Sequence, residues 1–238
     1  MNAPAITVRG LGKTFVFHLR GGTRLQVLSG VTFDVHPGEC VVLGGPSGIG
    51  KSSILRMIYG NYRVDAGAVV IRSGGTLTDV ATAGPREILA LRCDAMSYVS
   101  QFLRVIPRVA TIDLVAEPML ADGADRQVAL HRAGELLSRL NLPERLWQLP
   151  PATFSGGEQA RVNIARGFAS ARPVLLLDEP TASLDAANRA VVADLVAEKK
   201  AVGTAVLGIF HDEEIRDRLA DRTVDVTRFA GAPAAAAA

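Results

Sequence analysis

Gly45-Pro46-Ser47-Gly48-Ile49-Gly50-Lys51-Ser52 is the stretch whose reading decides the fold. A phosphate carries concentrated negative charge and many acceptor oxygens. A loop that wraps it must aim backbone N–H groups inward, where Cβ atoms would obstruct the approach. Gly45, Gly48 and Gly50 meet that need, with Pro46, Ser47 and Ile49 completing the loop. Lys51 supplies a cation for the β- and γ-phosphates, and the Ser52 hydroxyl suits Mg²⁺. Ser53 extends the donors at a helix N-terminus, where the macrodipole also favours an anion. The context fits. Cys40 to Gly44 is a short continuous apolar run, as in a buried parallel strand, and Lys51 to about Tyr59 reads as a helix stopped by Gly60-Asn61.

A second apolar run, Val174 to Leu177, delivers Asp178 and Glu179 to the end of another core strand. Two adjacent acids are poor core chemistry, so they belong at a strand edge facing a site. There Asp178 can hold Mg²⁺, directly or through water, and Glu179 can polarise the water that attacks a γ-phosphate. The bland alternative makes both acids dipole partners of a helix starting at Pro180.

Outward from these runs, Ile6–Val8, Leu25–Leu28 and Val31–Val35 read as short antiparallel strands around a turn at Gly21-Gly22. Ala68–Ile71, Met96–Val99 and Ala205–Phe210 read as further strands. Ala129, Ala133, Leu136, Leu137 and Leu140 form one apolar helical stripe, and a helix between the last two core strands turns Val191, Val192, Leu195 and Val196 inward. The expected organisation is one domain over residues 1–238. Its α/β core covers about 5–110 and 160–228, a helical insert covers about 111–159, and a disordered tail occupies 230–238.

Bulk composition narrows the function. Hydrophobic residues make up 48%, enough for a sizeable core, and 26 basic against 24 acidic residues give a formal charge of +2. That balance argues against nucleic acid as a partner. Cys40 and Cys93 have no partner motif, Cys40 is expected to be buried and inert, and the chain suits a reducing compartment, the cytoplasm. No run approaches the roughly 20 apolar residues of a membrane span. No signal-peptide stretch opens the chain. Direct membrane insertion is therefore not expected, and in a membrane process another chain would cross the bilayer.

A phosphate loop alone leaves many NTPase families open. Ser155-Gly156-Gly157-Glu158-Gln159 resembles the ABC signature motif and lies a little before the carboxylate strand, as in that family. A lone Ser-Gly-Gly is usually a turn, so its weight comes from its company. Gln101, after Met96–Val99, matches the Q-loop glutamine, which in the resembled family meets Mg²⁺ and couples the site to a partner protein. Ser183-Leu184-Asp185 matches the D-loop at the dimer interface, and His211 matches the switch histidine that contacts the γ-phosphate. Phe15 matches the aromatic that stacks on adenine, with Phe17 and His18 as competitors. The resemblance covers about residues 5–228. It implies a P-loop ABC ATPase nucleotide-binding domain with an N-terminal antiparallel β-subdomain and a helical insert. It also implies ATP and Mg²⁺ as cofactors. Two subunits, identical or homologous, would pair head to tail over two ATP molecules, Glu179 assisting hydrolysis and the signature segment reaching the partner's γ-phosphate.

Several segments resemble one branch more closely. They are Tyr59–Tyr62, Val99–Arg108, Leu140–Trp147, Arg161–Phe168 and Gly208–Glu213, and they look like the ABC-type L subunit of the bacterial carbon–phosphorus lyase system. Ala160 departs from it, standing where many relatives have a second glutamine. That resemblance implies docking to soluble carbon–phosphorus lyase core subunits. The step served would be the one that joins a phosphonate to the ribose of ATP, giving a ribose 1-phosphonate 5-triphosphate. No constellation in the chain would itself bind a phosphonate. The alternative is a transporter ATPase of the lipoprotein-release or macrolide-export type, and a third reading is an ATP-dependent clamp on an assembly.

Overall fold

The chain opens with two long antiparallel strands, β1 (Ile6–Phe17) and β2 (Thr23–Val35), in a computed structural model that describes residues 3–17, 23–101 and 108–231. β1 is much longer than the expected Ile6–Val8, and the two short strands expected after it are one. The reason lies in the register, which shifts between Val8 and Leu11, Leu11 and Lys13, and Lys13 and Thr14, breaking the alternation that marks a strand. The expected turn at Gly21-Gly22 lies outside the described residues. β3 (Cys40–Gly44) leads through the glycine loop into α1 (Lys51–Ile58). A hairpin, β4 (Ala66–Ser73) and β5 (Thr76–Asp79), then completes a four-stranded antiparallel sheet in the order β2-β1-β4-β5.

The second sheet is parallel throughout. After α2 (Pro85–Asp94) comes β6 (Met96–Val99). Three helices follow, α3 (Thr111–Ala121), α4 (Arg126–Arg139) and α5 (Gly156–Ala169), all in mutual contact. The chain then alternates through β7 (Val174–Asp178), α6 (Ala186–Ala201), β8 (Ala205–Ile209), α7 (Glu213–Leu219) and β9 (Arg222–Asp225). The strand order is β6-β7-β8-β3-β9, and every neighbouring pair is parallel.

Both faces of this sheet are covered, which is why its central strands read as unbroken apolar runs. Successive residues point to opposite sides. Cys40, Val42, Leu175, Leu177 and Val206 enter one core with the faces of α3 to α6. Val41, Leu43, Val174, Leu176, Leu207 and Ile209 enter another, shared with α1 and the antiparallel sheet. Cys40 is fully buried, and burial pushes its thiol up to about 12, so it behaves as a small apolar side chain. Ala129, Ala133, Leu136 and Leu137 do line the buried face of α4, capped by Asp125, which accepts from the N–H groups of Gln127 and Val128. Ala230 and Gly231, expected to open a frayed tail, bridge instead to Leu28 and Val27 of β2, and residues from 232 on lie outside the described ones.

α5 lies so close to β6 that a Cβ at Gly167 would stand 2.2 Å from Cγ2 of the buried Val99. Val99 is β-branched and turns only about one stiff bond, so it cannot step aside cheaply. Gly167→Ala is expected to destabilise the fold by about 1–3 kcal/mol, the usual range for overpacking. Urea denaturation checks this, and a midpoint equal to the wild type would show that α5 stands off further.

Candidate active site

The carboxyl ends of four parallel strands converge on one edge of the sheet, where open α/β sheets bind ligands. β3 runs into the glycine loop, β6 into Gln101, β7 into Asp178 and Glu179, and β8 into His211. β8 lies between β3 and β7, so the first turn of α1 reaches across it.

The loop fits a polyphosphate. Gly45, Pro46, Ser47 and Gly48 are exposed, and Gly48 has a φ of +81° with nothing within 4 Å of where its Cβ would be. Gly50 caps α1 at φ +104°, and a Cβ there would meet Val27 at 2.9 Å, so the loop is pressed against β2. The Lys51 ammonium is buried and donates to the carbonyl oxygens of Gly45 (2.7 Å) and Pro46 (2.8 Å), which keeps a cation inside the loop. Burial holds its pKa below the ordinary lysine value, while the nearby Glu179 carboxylate pulls the other way. Ser53 is half-buried in the first turn of α1.

The donors for a metal are hard oxygens, as Mg²⁺ prefers. Ser52 Oγ donates to Asp178 Oδ1 at 2.7 Å, and Asp178 is only 1% exposed at the end of β7. Its other oxygen, Oδ2, accepts from the Tyr98 hydroxyl at 2.8 Å. Burial, reinforced by that carboxylate, raises the Tyr98 pKa, so the phenol stays a donor.

Glu179 is built differently. Its φ is +54°, a left-handed conformation that costs a non-glycine residue about 1–3 kcal/mol. The turn throws the side chain across to the end of β8. There Oε1 lies 2.6 Å from His211 Nε2, and Oε2 accepts from Gln101 Nε2 at 3.3 Å. A cavity of about 270 Å³ opens beside these groups, lined by Glu179, Thr181, Ala182, Arg189, His211 and Asp212. Lys51, Ser52, Gln101, Asp178, Glu179 and His211 are thus brought together within one chain.

The signature segment is not part of that cluster. Among the described residues no hydrogen bond or ion pair joins Ser155–Glu158 to it. Ser155 caps α5, with Glu158 reaching back to the Ser155 N–H (2.8 Å) and hydroxyl (2.7 Å) in a capping box. Ser155 and Gly156 are exposed, and Gly157 faces the Ser183 carbonyl, where a Cβ would stand 3.4 Å away. Asp185 is exposed and caps α6, accepting from Asn188 N at 2.8 Å. Phe15 meets Tyr62 edge to face, 5.7 Å between centroids, with the Lys13 ammonium 5.3 Å from its ring centre. Of its competitors, Phe17 ends β1 and His18 lies outside the described residues.

Three further groups escape a reading of local pattern. Tyr98 is one. Asn163 of α5 donates to the Ser100 carbonyl at 2.6 Å and so fixes the approach to Gln101. Arg189 pairs with Asp212 and donates to the Leu184 carbonyl, tying the start of α6 to the segment after His211. Each joins residues far apart in sequence, so no local pattern signals it.

Comparison with known proteins agrees with this geometry. The family model described as ABC transporter matches residues 28–182, and the chain belongs to that family. Its fold is that of a P-loop ABC ATPase, a hydrolase whose ligands are ATP and Mg²⁺. It is 38% identical over 232 residues to the lipoprotein-releasing system ATP-binding protein LolD of Novosphingobium aromaticivorans, covering 94% of this chain and 96% of that one. It is 33% identical to the macrolide export ATP-binding/permease protein MacB of Nitrosomonas europaea, covering 94% of this chain but 33% of that longer protein. Among solved structures it resembles the dimeric bacterial ABC transporter cassette MJ0796, with a TM-score of 0.82 and 26% identity over 93% of this chain and 94% of that one.

These relatives correct the expected identity. The chain is not assigned to the carbon–phosphorus lyase L subunit, and neither the soluble lyase partners nor the phosphonate step stands, because the full-length relatives are lipoprotein-releasing ATP-binding proteins. The physical reason is where the misleading segments lie. Val99–Gln101 ends β6, Arg161–Phe168 is the body of α5, and Gly208–Glu213 spans the end of β8 and His211. The ends of β6 and β8 build the ATP-handling edge, which any ATPase of this design needs whatever it drives; the body of α5 packs on β6, and Tyr59–Tyr62 and Leu140–Trp147 follow α1 and α4.

Proposed function

We propose that the chain is the ATP-hydrolysing subunit of an ABC transporter of the lipoprotein-release or macrolide-export type, acting as a head-to-tail pair with a second copy or a homologous subunit. The observation that carries the reading is end-to-end likeness to a lipoprotein-releasing ATP-binding protein. In this reading the glycine loop, Lys51, Ser52 and Ser53 hold the triphosphate, and Phe15 faces the adenine. Ser52 and Asp178 would hold Mg²⁺, with Gln101 completing the set, and the ion would neutralise phosphate charge. Glu179 takes up the proton of the attacking water, oriented by His211. The Ser155-Gly156-Gly157 cradle, which among the described residues no hydrogen bond or ion pair joins to the site of its own chain, serves the ATP of the other subunit, and Asp185 lies at that interface.

The bilayer is crossed by a separate permease, in keeping with the absence, among the described residues, of any helix long and apolar enough to span a membrane. A groove of about 640 Å³ offers that permease a seat beside Gln101. Arg56, Arg92 and Arg166 line it with Tyr59, Tyr62 and Tyr98, and its described lining includes no carboxylate. An acidic loop or helix end with an aromatic or aliphatic tip fits that chemistry. In domain terms the core (about 5–110 and 160–228) carries the triphosphate, and the helical part (about 111–159) carries the signature.

Affinity capture of tagged protein from its native host tests the reading, with membrane and soluble fractions analysed separately by mass spectrometry. An integral membrane permease is expected as the main partner. Recovery with soluble subunits alone would overturn the transporter assignment.

A further inference from the structure

We propose that Tyr98 is a positioning residue for the metal-binding carboxylate, and that it links Asp178 directly to the groove offered to a partner. The inference rests on Asp178 being a Mg²⁺ ligand.

Each oxygen of the Asp178 carboxylate has its own hydroxyl donor, Ser52 Oγ on Oδ1 at 2.7 Å and the Tyr98 hydroxyl on Oδ2 at 2.8 Å. The carboxylate is almost wholly shut off from water. With Ser52 alone it could rotate about its last bond. The second donor removes that freedom, as an outer partner does for a metal ligand. The ring supplies the packing against Tyr59, and the hydroxyl supplies the bond to the carboxylate, which phenylalanine would lack.

The other side of the same residue belongs to the groove. The Tyr98 ring stacks on Tyr59, with centroids 4.9 Å apart and planes inclined by 28°. The Arg92 guanidinium lies 4.7 Å from the Tyr59 ring centre, and Arg56 interacts with both Tyr62 and the Tyr98 hydroxyl. Arg56, Tyr59, Tyr62, Arg92 and Tyr98 all line the groove. A partner pressing on Tyr59 or drawing away Arg56 therefore acts one residue from Asp178. Gln101 contacts Glu179 and not Asp178, so the groove reaches the two carboxylates by separate routes.

The test is Tyr98→Phe in the full chain, with Mn²⁺ as the probe and a non-hydrolysable ATP analogue present. Free Mn²⁺ is followed by electron paramagnetic resonance. Nucleotide binding in EDTA is expected to match the wild type, while the Mn²⁺ concentration for half-saturation rises about tenfold or more. Melting in EDTA reports packing alone, and the rise in melting temperature on adding Mn²⁺ and the analogue reports the site. That rise is expected to shrink in the variant. Equal half-saturation and an equal rise in both proteins would overturn the role of Tyr98. A wild type that holds no Mn²⁺ with the analogue would instead overturn the reading of Asp178, and the proposal with it.

Discussion

Glu179→Gln is expected to lower steady-state ATP hydrolysis about 100-fold or more, within the range for loss of a general base, while ATP binding persists. Glutamine keeps the volume and the hydrogen-bond reach to Gln101 and His211, so the fold and the cavity beside them survive. What is lost is the negative oxygen that draws a proton from water. A protein that binds ATP without consuming it should accumulate as the closed pair. Phosphate release measured alongside size-exclusion chromatography with ATP checks both halves. An unchanged rate would remove Glu179 from the chemistry, and a slow rate with no added dimer would mean that ATP alone does not join the subunits.

The second large effect is expected at Lys51. Its ammonium is held by two loop carbonyls and sits where the triphosphate would lie. Charge-assisted hydrogen bonds are worth about 1.5–3 kcal/mol each. Lys51→Ala should therefore weaken ATP binding by about 100-fold, since each 1.4 kcal/mol is a factor of ten. Calorimetric titration with ATP measures it, and a melting curve confirms that the variant is folded. Affinity within threefold of the wild type would show that the backbone cradle suffices.

Much of this architecture was legible because the central strands are buried on both faces. Cys40–Gly44, Val174–Leu177 and Ala205–Ile209 are unbroken apolar runs for that reason, and each points straight at a site residue. Elements with little burial were silent. α2 buries only Leu91, and β9 only Val224, so neither leaves a periodic pattern. β1 was legible only at its start because its register shifts disguise the rest. In the site, the loop, the acid pair and the residues after β6 and β8 are local patterns and could be read in order. The Tyr98–Asp178 bond joins positions 80 apart and could not. The task, read as service to a carbon–phosphorus lyase assembly, was misread for a different cause. The motifs encode the handling of ATP, whereas the task depends on the partner, and segments that line the groove, such as Tyr59–Tyr62, do not name what fills it.

The close approach at Gly167 makes α5 a lever with unequal arms. Val99 supports it near its C-terminal end, Asn163 and Arg166 lie a short way from the support, and Ser155 sits at the far tip. At 1.5 Å per residue the long arm is about 18 Å, so a tilt of about 10° sweeps the tip through about 3 Å and Asn163 through about 1 Å. A displacement of the Ser155 tip would thereby be geared down to a finer one at the Ser100 carbonyl and the groove beside it.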